Sequence, residues 1–218
     1  MIPGPNELAL RALFIIPMLL SLSVHEWAHA WSASKLGDDT AEREGRLTLN
    51  PIAHIDILGT ILLPLLGIPF GWAKPVPVNP VRFNRKVTMK TGMAITAAAG
   101  PISNIILAVI CAVALGLSMR FAPELVARQR GIFFLLLYGV QLNVGLAIFN
   151  MLPLPPLDGS RILERFVPLS WRDTWENFSR VGPFVLFAVI AGGGFLLSGP
   201  ISVVSGTLYE LIHTIARS

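Results

Sequence analysis

The sequence predicts an all-α polytopic membrane protein, and three observations carry that prediction. Hydrophobic residues make up 53% of the chain and charged residues only 14%, where soluble domains carry about 25% charge. Three long runs hold no Asp, Glu, Lys or Arg: 27 residues from Met93 to Met119, 26 from Ile132 to Leu157 and 29 from Val181 to Tyr209. A spanning helix needs about 20 apolar residues, so each run can cross a bilayer. Together with the apolar stretch Ala12–Ser34 they give about four to five transmembrane helices in a single unit, residues 1–218.

The first stretch carries chemistry. Its only ionisable residues are His25, Glu26 and His29, in the sequence HEWAH. Ionisable groups at membrane depth cost kilocalories each and mark function by default. Residues four apart share a helix face, so His25 and His29 can hold one ion from adjacent turns. Glu26 sits beside them, where it can take a proton from an activated water. HExxH is the pattern that does this in zinc hydrolases. The bland alternative is a buried polar network joining helices, which rarely needs two His and one Glu at this spacing. Because the stretch holds the motif, it does not read as a cleaved signal peptide.

Residues 57–70 come next. This segment is apolar but too short to span, and Gly59, Pro64, Gly67 and Pro69 interrupt it. It reads as a re-entrant or interfacial hairpin, or as a short buried core segment. Pro75, Val76, Pro77 and Val78 then alternate. In an extended chain both prolines blank donors on one edge while both valines keep theirs on the other. Such a segment can take a substrate strand by β-augmentation through Val76 and Val78, or lie as a plain membrane-surface loop. The run Val181–Tyr209 holds Gly192, Gly193, Gly194, Gly199 and Pro200. It reads as a helix to about Leu197 and a shorter one from about Ile201 to Ala216.

Charge sets the orientation. Net charge is +4, and its distribution resembles membrane topology rather than a nucleic-acid footprint. With the amino terminus outside, the inner segments are 35–92, 161–180 and the carboxyl tail, which hold 13 of the 17 basic residues. Lys and Arg mark the cytoplasmic side. The metal site is therefore expected in the inner half of its helix, in a bacterial or archaeal cell membrane.

A catalytic zinc takes three protein ligands and keeps one position open. The lone Cys111 excludes an intrachain disulfide and a Cys-based zinc site. The remaining histidines are His54 and His213, and Asp56 is possible. Asp38, Asp39, Glu42 and Glu44 sit in a charged, solvated loop. Asp158 stands out. It ends a 26-residue apolar run in NMLPLPPLDG, where Pro153, Pro155 and Pro156 forbid regular helix. Broken backbone at membrane depth is tolerated where it lines a cavity, and a carboxylate there can reach across to the histidines. A simple helix cap is the alternative. His54 and Asp56 form an H-x-D pattern in which His54 can donate to a developing oxyanion with Asp56 fixing its tautomer; an interfacial His that satisfies loop backbone is the rival reading. Asn150 can pair with an extended peptide or pack helices. Asn104 reads as structural support.

HEWAH paired with N-x-x-P-x-P-x-LDG (Asn150–Gly159) resembles the site-2 protease family of intramembrane zinc metalloproteases. LNPIAHID, GWAKPVPVNP and GPISN resemble it too, so the likeness covers about residues 8–170, with additional membrane segments at about 181–216. The resemblance implies one zinc per chain held by His25, His29 and Asp158, with Glu26 as general base and Asn150 helping to hold substrate. It implies a three-helix core and the short type without a PDZ or CBS domain. The expected partners are a transmembrane protein substrate and the lipid bilayer, with no nucleic acid; nothing fixes the oligomeric state. A zinc-binding transporter needs a polar pathway through the bilayer, but the ionisable residues cluster at one depth. A non-catalytic scaffold would have no use for Glu26.

Overall fold

Among the described residues five long helices carry this protein, and the second in the chain is the one against which the first, third and last pack. The computed structural model describes residues 5–67, 71–191 and 195–218, and all its regular structure there is helical. α1 (Pro5–Lys35), α2 (Met89–Phe121) and α3 (Arg130–Asn150) cover the first three predicted spans. A short α4 (Asp158–Glu164) follows the proline-rich break. α5 (Arg172–Ala191) and α6 (Phe195–Arg217) complete the chain. By length and composition α2 and α3 can cross a membrane. Large apolar side chains such as Ile102, Ile106, Ile110, Phe134 and Val203 face outward, an arrangement that water opposes and lipid accepts.

Helix α2 owes its central place to small residues. Ala108, Ala112 and Gly116 recur every fourth position and are buried, which lets neighbouring backbones come close. A Cβ on Gly116 would lie 2.9 Å from Ile215 Cβ and 3.1 Å from the Ile212 carbonyl, so α6 can lie there only against glycine. Val140 and Val144 of α3 and Leu208 and Ile212 of α6 close this core. Thr88 starts α2 by accepting the Thr91 N–H on its hydroxyl.

Between α1 and α2 the chain folds back over α1. Residues Ile57–Leu62 form a turn of π-helix and Leu63–Leu65 continue it as α-helix. Asp56 caps this arm by accepting the Gly59 N–H. Gly67 turns the chain in the left-handed region, with φ of 84°. Residues 71–79 return in extended form without entering a sheet. The arms pack tightly: a Cβ on Gly59 would fall 2.4 Å from the Trp72 ring, and Thr60 Oγ1 donates to the Trp72 carbonyl. The segment expected as a hairpin, 57–70, is described as helix to Leu65 and a turn at Gly67; residues 68–70 lie outside the described residues. The far end of the extended return is tied down by Asp38, which accepts the Asn79 N–H at 2.6 Å, and by Asp39, which pairs with Arg82 and Arg43. Desolvation works to raise the Asp39 carboxyl; the hydrogen bond and charge of Arg43, then the charge of Arg82, outweigh it and hold the group below its ordinary value.

The last membrane region differs from expectation. Phe195–Arg217 is one helix that runs straight through Pro200, so the expected break between about Leu197 and Ile201 is absent there. Pro200 is the sixth residue of α6, so it removes one hydrogen bond near an end where N–H groups already lack partners. Residues 192–194 lie outside the described residues. α5 also starts earlier than the apolar run, at Arg172, with a polar first half braced by the Arg172–Glu176 pair.

This changes the predicted topology. Arg120 donates to the hydroxyl of Ser218 at 2.8 Å, so the carboxyl terminus lies at the α2 end that carries 120–130, opposite the 35–92 segment. The tail therefore does not join the inner segments. In a background with Cys111 replaced, Glu124→Cys and Ser218→Cys are expected to react with an impermeant thiol reagent from one side of the membrane, and Lys86→Cys from the other. Ser218→Cys reacting with Lys86→Cys would overturn this arrangement.

Candidate metal centre

His25 and His29 lie on one face of α1, as their spacing requires. Asp158 reaches them from the first turn of α4. His25 Nε2 and His29 Nε2 are 3.0 Å apart. Asp158 Oδ2 lies 3.2 Å from the first and 3.4 Å from the second. Gly159 makes this placement possible, because a Cβ there would strike the Met151 carbonyl oxygen at 2.3 Å. The break at 151–157 folds directly beneath α4, and only glycine leaves it room.

The protonation of the cluster follows from its surroundings. His29 Nδ1 donates to the Thr96 carbonyl at 2.7 Å, and a carbonyl only accepts. His25 Nδ1 lies 2.6 Å from Asn104 Oδ1. The Asn104 amide is oriented by Asn143, whose Nδ2 donates to the Gly139 carbonyl and to Ser21 Oγ. Asn143 Oδ1 is thus turned to accept from Asn104 Nδ2 at 2.7 Å, and Asn104 Nδ2 also reaches the Ser21 carbonyl. Asn104 Oδ1 must therefore accept, and His25 Nδ1 must donate. In the neutral imidazoles both Nε2 atoms then present lone pairs. Asp158 Oδ2 is buried and has no hydrogen-bond partner.

Three acceptors meet with no donor among them, and a cation is what satisfies such a set. The separations fit zinc: tetrahedral bonds of about 2.0–2.1 Å put neighbouring ligand atoms roughly 3.3 Å apart. His, His and carboxylate with an open fourth position is a catalytic donor set. The two histidines gain orientation from the bonds on their other nitrogens, as metal-bound imidazoles do. Helix α2 passes close to the rings at Gly100, where a Cβ would fall 2.5 Å from His29 Nε2 and 2.6 Å from His25 Cε1.

The cluster forms part of the wall of a cleft of about 1000 Å³, lined mainly by apolar residues of α1, α3, α5 and the 71–78 strap. Glu26 lines it, with Oε2 accepting the Val76 N–H at 2.8 Å. Asn150 lines it at the end of α3, its amide donating back to the Leu146 carbonyl. Val76 and Val78 line it too. The Val76 donor is spent on Glu26 and so is not free to pair a substrate strand. His54 sits elsewhere. Its ring is buried, Nε2 donates to the Thr48 carbonyl at 2.8 Å, and it does not border the cleft. Asp56 caps a helix rather than holding His54. Both side chains of this pair thus hold local backbone here. His213 is exposed on α6.

Sequence reasoning missed Asn143 and underrated Asn104 and Gly100. Asn143 lies inside a 26-residue run without charge, and a buried amide at that depth needs a partner; that signal was available. No sequence signal shows that Gly100 faces imidazole rings.

The profile of peptidase family M50 matches residues 121–191, which include Asn150 and Asp158. The chain is 44% identical over 184 residues to YwhC of Bacillus subtilis, named as a candidate zinc metalloprotease, covering 84% of this chain and 81% of that one. Rip2 of Mycolicibacterium smegmatis, named likewise, is 36% identical over 70% of this chain and 56% of its own length. Rip2 of Mycobacterium tuberculosis is 30% identical over 73% of this chain and 60% of its own. No solved structure matches the chain significantly.

Two substitutions test the centre by metal binding alone. Asn143→Leu removes the group that orients Asn104 and is expected to weaken zinc binding by about 10–100-fold, the usual cost of disturbing a ligand's support. Gly100→Ala drives a methyl into both imidazoles and is expected to lower zinc affinity further. Competition with a chromophoric chelator on detergent-purified protein reads both. Wild-type affinity in both variants would remove the support assigned to α2 and α3.

Proposed function

We propose that this chain, which belongs to peptidase family M50, the site-2 protease family, and is a zinc metalloendopeptidase, hydrolyses a peptide bond within or beside a transmembrane segment of a membrane protein. The observation that carries the reading is a donor set for one catalytic zinc, beside a carboxylate base, on the wall of an apolar cleft. A soluble peptide has no need of such walls. A transmembrane segment matches them in polarity. It has to unwind locally to be cut, because a helix shields its own carbonyls, and this favours Gly, Pro or polar residues near the cut.

His25, His29 and Asp158 would hold the metal, one ion per chain. When bound, zinc supplies Lewis acidity toward the scissile carbonyl and makes water a competent nucleophile near neutral pH. The residues of the chain do the rest. Glu26 takes the proton from the attacking water through the oxygen that Val76 leaves free. The water oxygen bonds to the carbonyl carbon, the C–N bond breaks, and Glu26 returns the proton to the departing amine. Water is the nucleophile, so no side chain becomes acylated. Asn150, at the mouth of the proline-rich break, would pair with the backbone of a substrate strand through its carbonyl oxygen, since its amide donates to the Leu146 carbonyl and it lines the cleft. The apolar walls keep bulk water from the reacting groups, which strengthens every charge interaction inside.

Protein purified in detergent is expected to contain about one zinc per chain. Glu26→Gln keeps the shape of the base but cannot take a proton, so zinc should stay while cleavage of a model membrane substrate is lost. Asp158→Ala removes a ligand, so zinc and activity should fall together. Cleavage by Glu26→Gln at the normal rate, or by metal-free protein, would overturn the mechanism.

A further inference from the structure

Arg46 is a buried guanidinium with no carboxylate beside it. It ends the charged loop after α1 and is only 6% exposed. Among the described residues it makes no ion pair. Its Nη2 nitrogen donates to the Lys74 carbonyl at 2.6 Å and more weakly to the Pro75 carbonyl at 3.4 Å. Its Nε is buried without a partner. A desolvated cation held only by backbone carbonyls is an expensive arrangement, and a neutral side chain of similar length would fill the same space at less cost. What the guanidinium secures is the position of residues 74–76.

Those residues hold the general base. Pro75 and Pro77 have no N–H, so Val76 supplies the one backbone donor between Lys74 and Val78. That donor goes to Glu26 Oε2 at 2.8 Å. The Lys74 N–H goes to the His54 carbonyl at 2.9 Å. Only Pro75, with its φ locked by the ring, separates the carbonyl that Arg46 grips from the N–H that grips Glu26. One free torsion, the ψ of Pro75, is all that lies between them, so a shift at one is carried to the other.

We propose that Arg46 is a positioning residue for Glu26, acting through the backbone of Lys74, Pro75 and Val76. The proposal rests on the reading of Glu26 as general base. Arg46 fixes the strap. The strap fixes one oxygen of Glu26 and so aims the other at the reacting water. Misplacing a reacting group by about 1 Å can cost on the order of 10²-fold in rate, so a guanidinium outside the cleft can govern turnover without touching substrate.

The test uses zinc-loaded, full-length protein in detergent with one model membrane substrate, and reads kcat, KM and zinc content. Arg46→Met removes the donors and keeps the apolar stem. Val76→Pro removes the N–H and sets a ring methylene in its place, between two residues that are already proline. Val76→Ala keeps the N–H and controls for the side chain. Arg46→Met and Val76→Pro are each expected to lower kcat by about 10–100-fold with KM and zinc unchanged. Their double variant should be no slower than the worse single, because both cut one linkage. Arg46→Lys should restore part of the kcat lost in Arg46→Met, and Val76→Ala, which keeps the N–H, should lose less kcat than Val76→Pro. Normal kcat in Val76→Pro overturns the proposal even where Arg46→Met does not fold. So do independent, multiplying losses in the double variant, or losses that track zinc. A normal rate for Glu26→Gln in the same series would instead sink the reading of Glu26 as base.

Discussion

Bringing His25 Nε2, His29 Nε2 and Asp158 Oδ2 within 3.4 Å of one another is unfavourable unless a cation joins them, and much of the fold serves to hold them there. Three lone pairs at that distance repel, and each has left water to reach the site. Their direction is fixed from behind. The Thr96 and Gly139 carbonyls, which can only accept, force the histidine tautomers directly in one case and through Asn143 and Asn104 in the other. The same bonds tie α1, α2 and α3 together at one depth. The His25, His29 and Asp158 group and the packing of α1, α2 and α3 are thus one construction, and weakening either should weaken both.

Close approach is the second requirement, and glycine meets it at two points that matter. Gly100 lets α2 lie against the imidazoles, and Gly159 lets the proline-rich break fold beneath Asp158. Both sites lack room for a methyl group. The cluster is therefore held from several directions at once, as a metal site must be if its geometry is to survive exchange of the fourth ligand during turnover.

The strap adds a different kind of order. It carries no ionisable side chain at the site, yet it reaches Glu26 by a single N–H, and it is itself gripped by Arg46 and by the backbone of His54. Prolines on either side of Val76 remove competing donors and stiffen the path. Glu26 is thus held by backbone rather than by another charge.

The helical class, long helices over the first three apolar runs, and the placing of His25 and His29 on one face of α1 were all legible in the order of the amino acids. These are local properties: apolar length, helical spacing and the cost of charge in lipid act on neighbouring residues. Asp158 was legible too, because a carboxylate after three prolines in an apolar run is costly wherever the chain goes. The remainder depends on contacts between residues far apart in the chain. Asn143, Gly100 and Arg46 act on groups that folding alone brings to them, and nothing in their local sequence names the partner. The orientation of His54 away from the cleft, the use of the Val76 donor by Glu26, and the carboxyl terminus lying beside Arg120 are likewise outcomes of competition among distant groups for the same donors and the same space. A pattern of spacing records what one helix face can offer; which group claims it is settled when the helices meet.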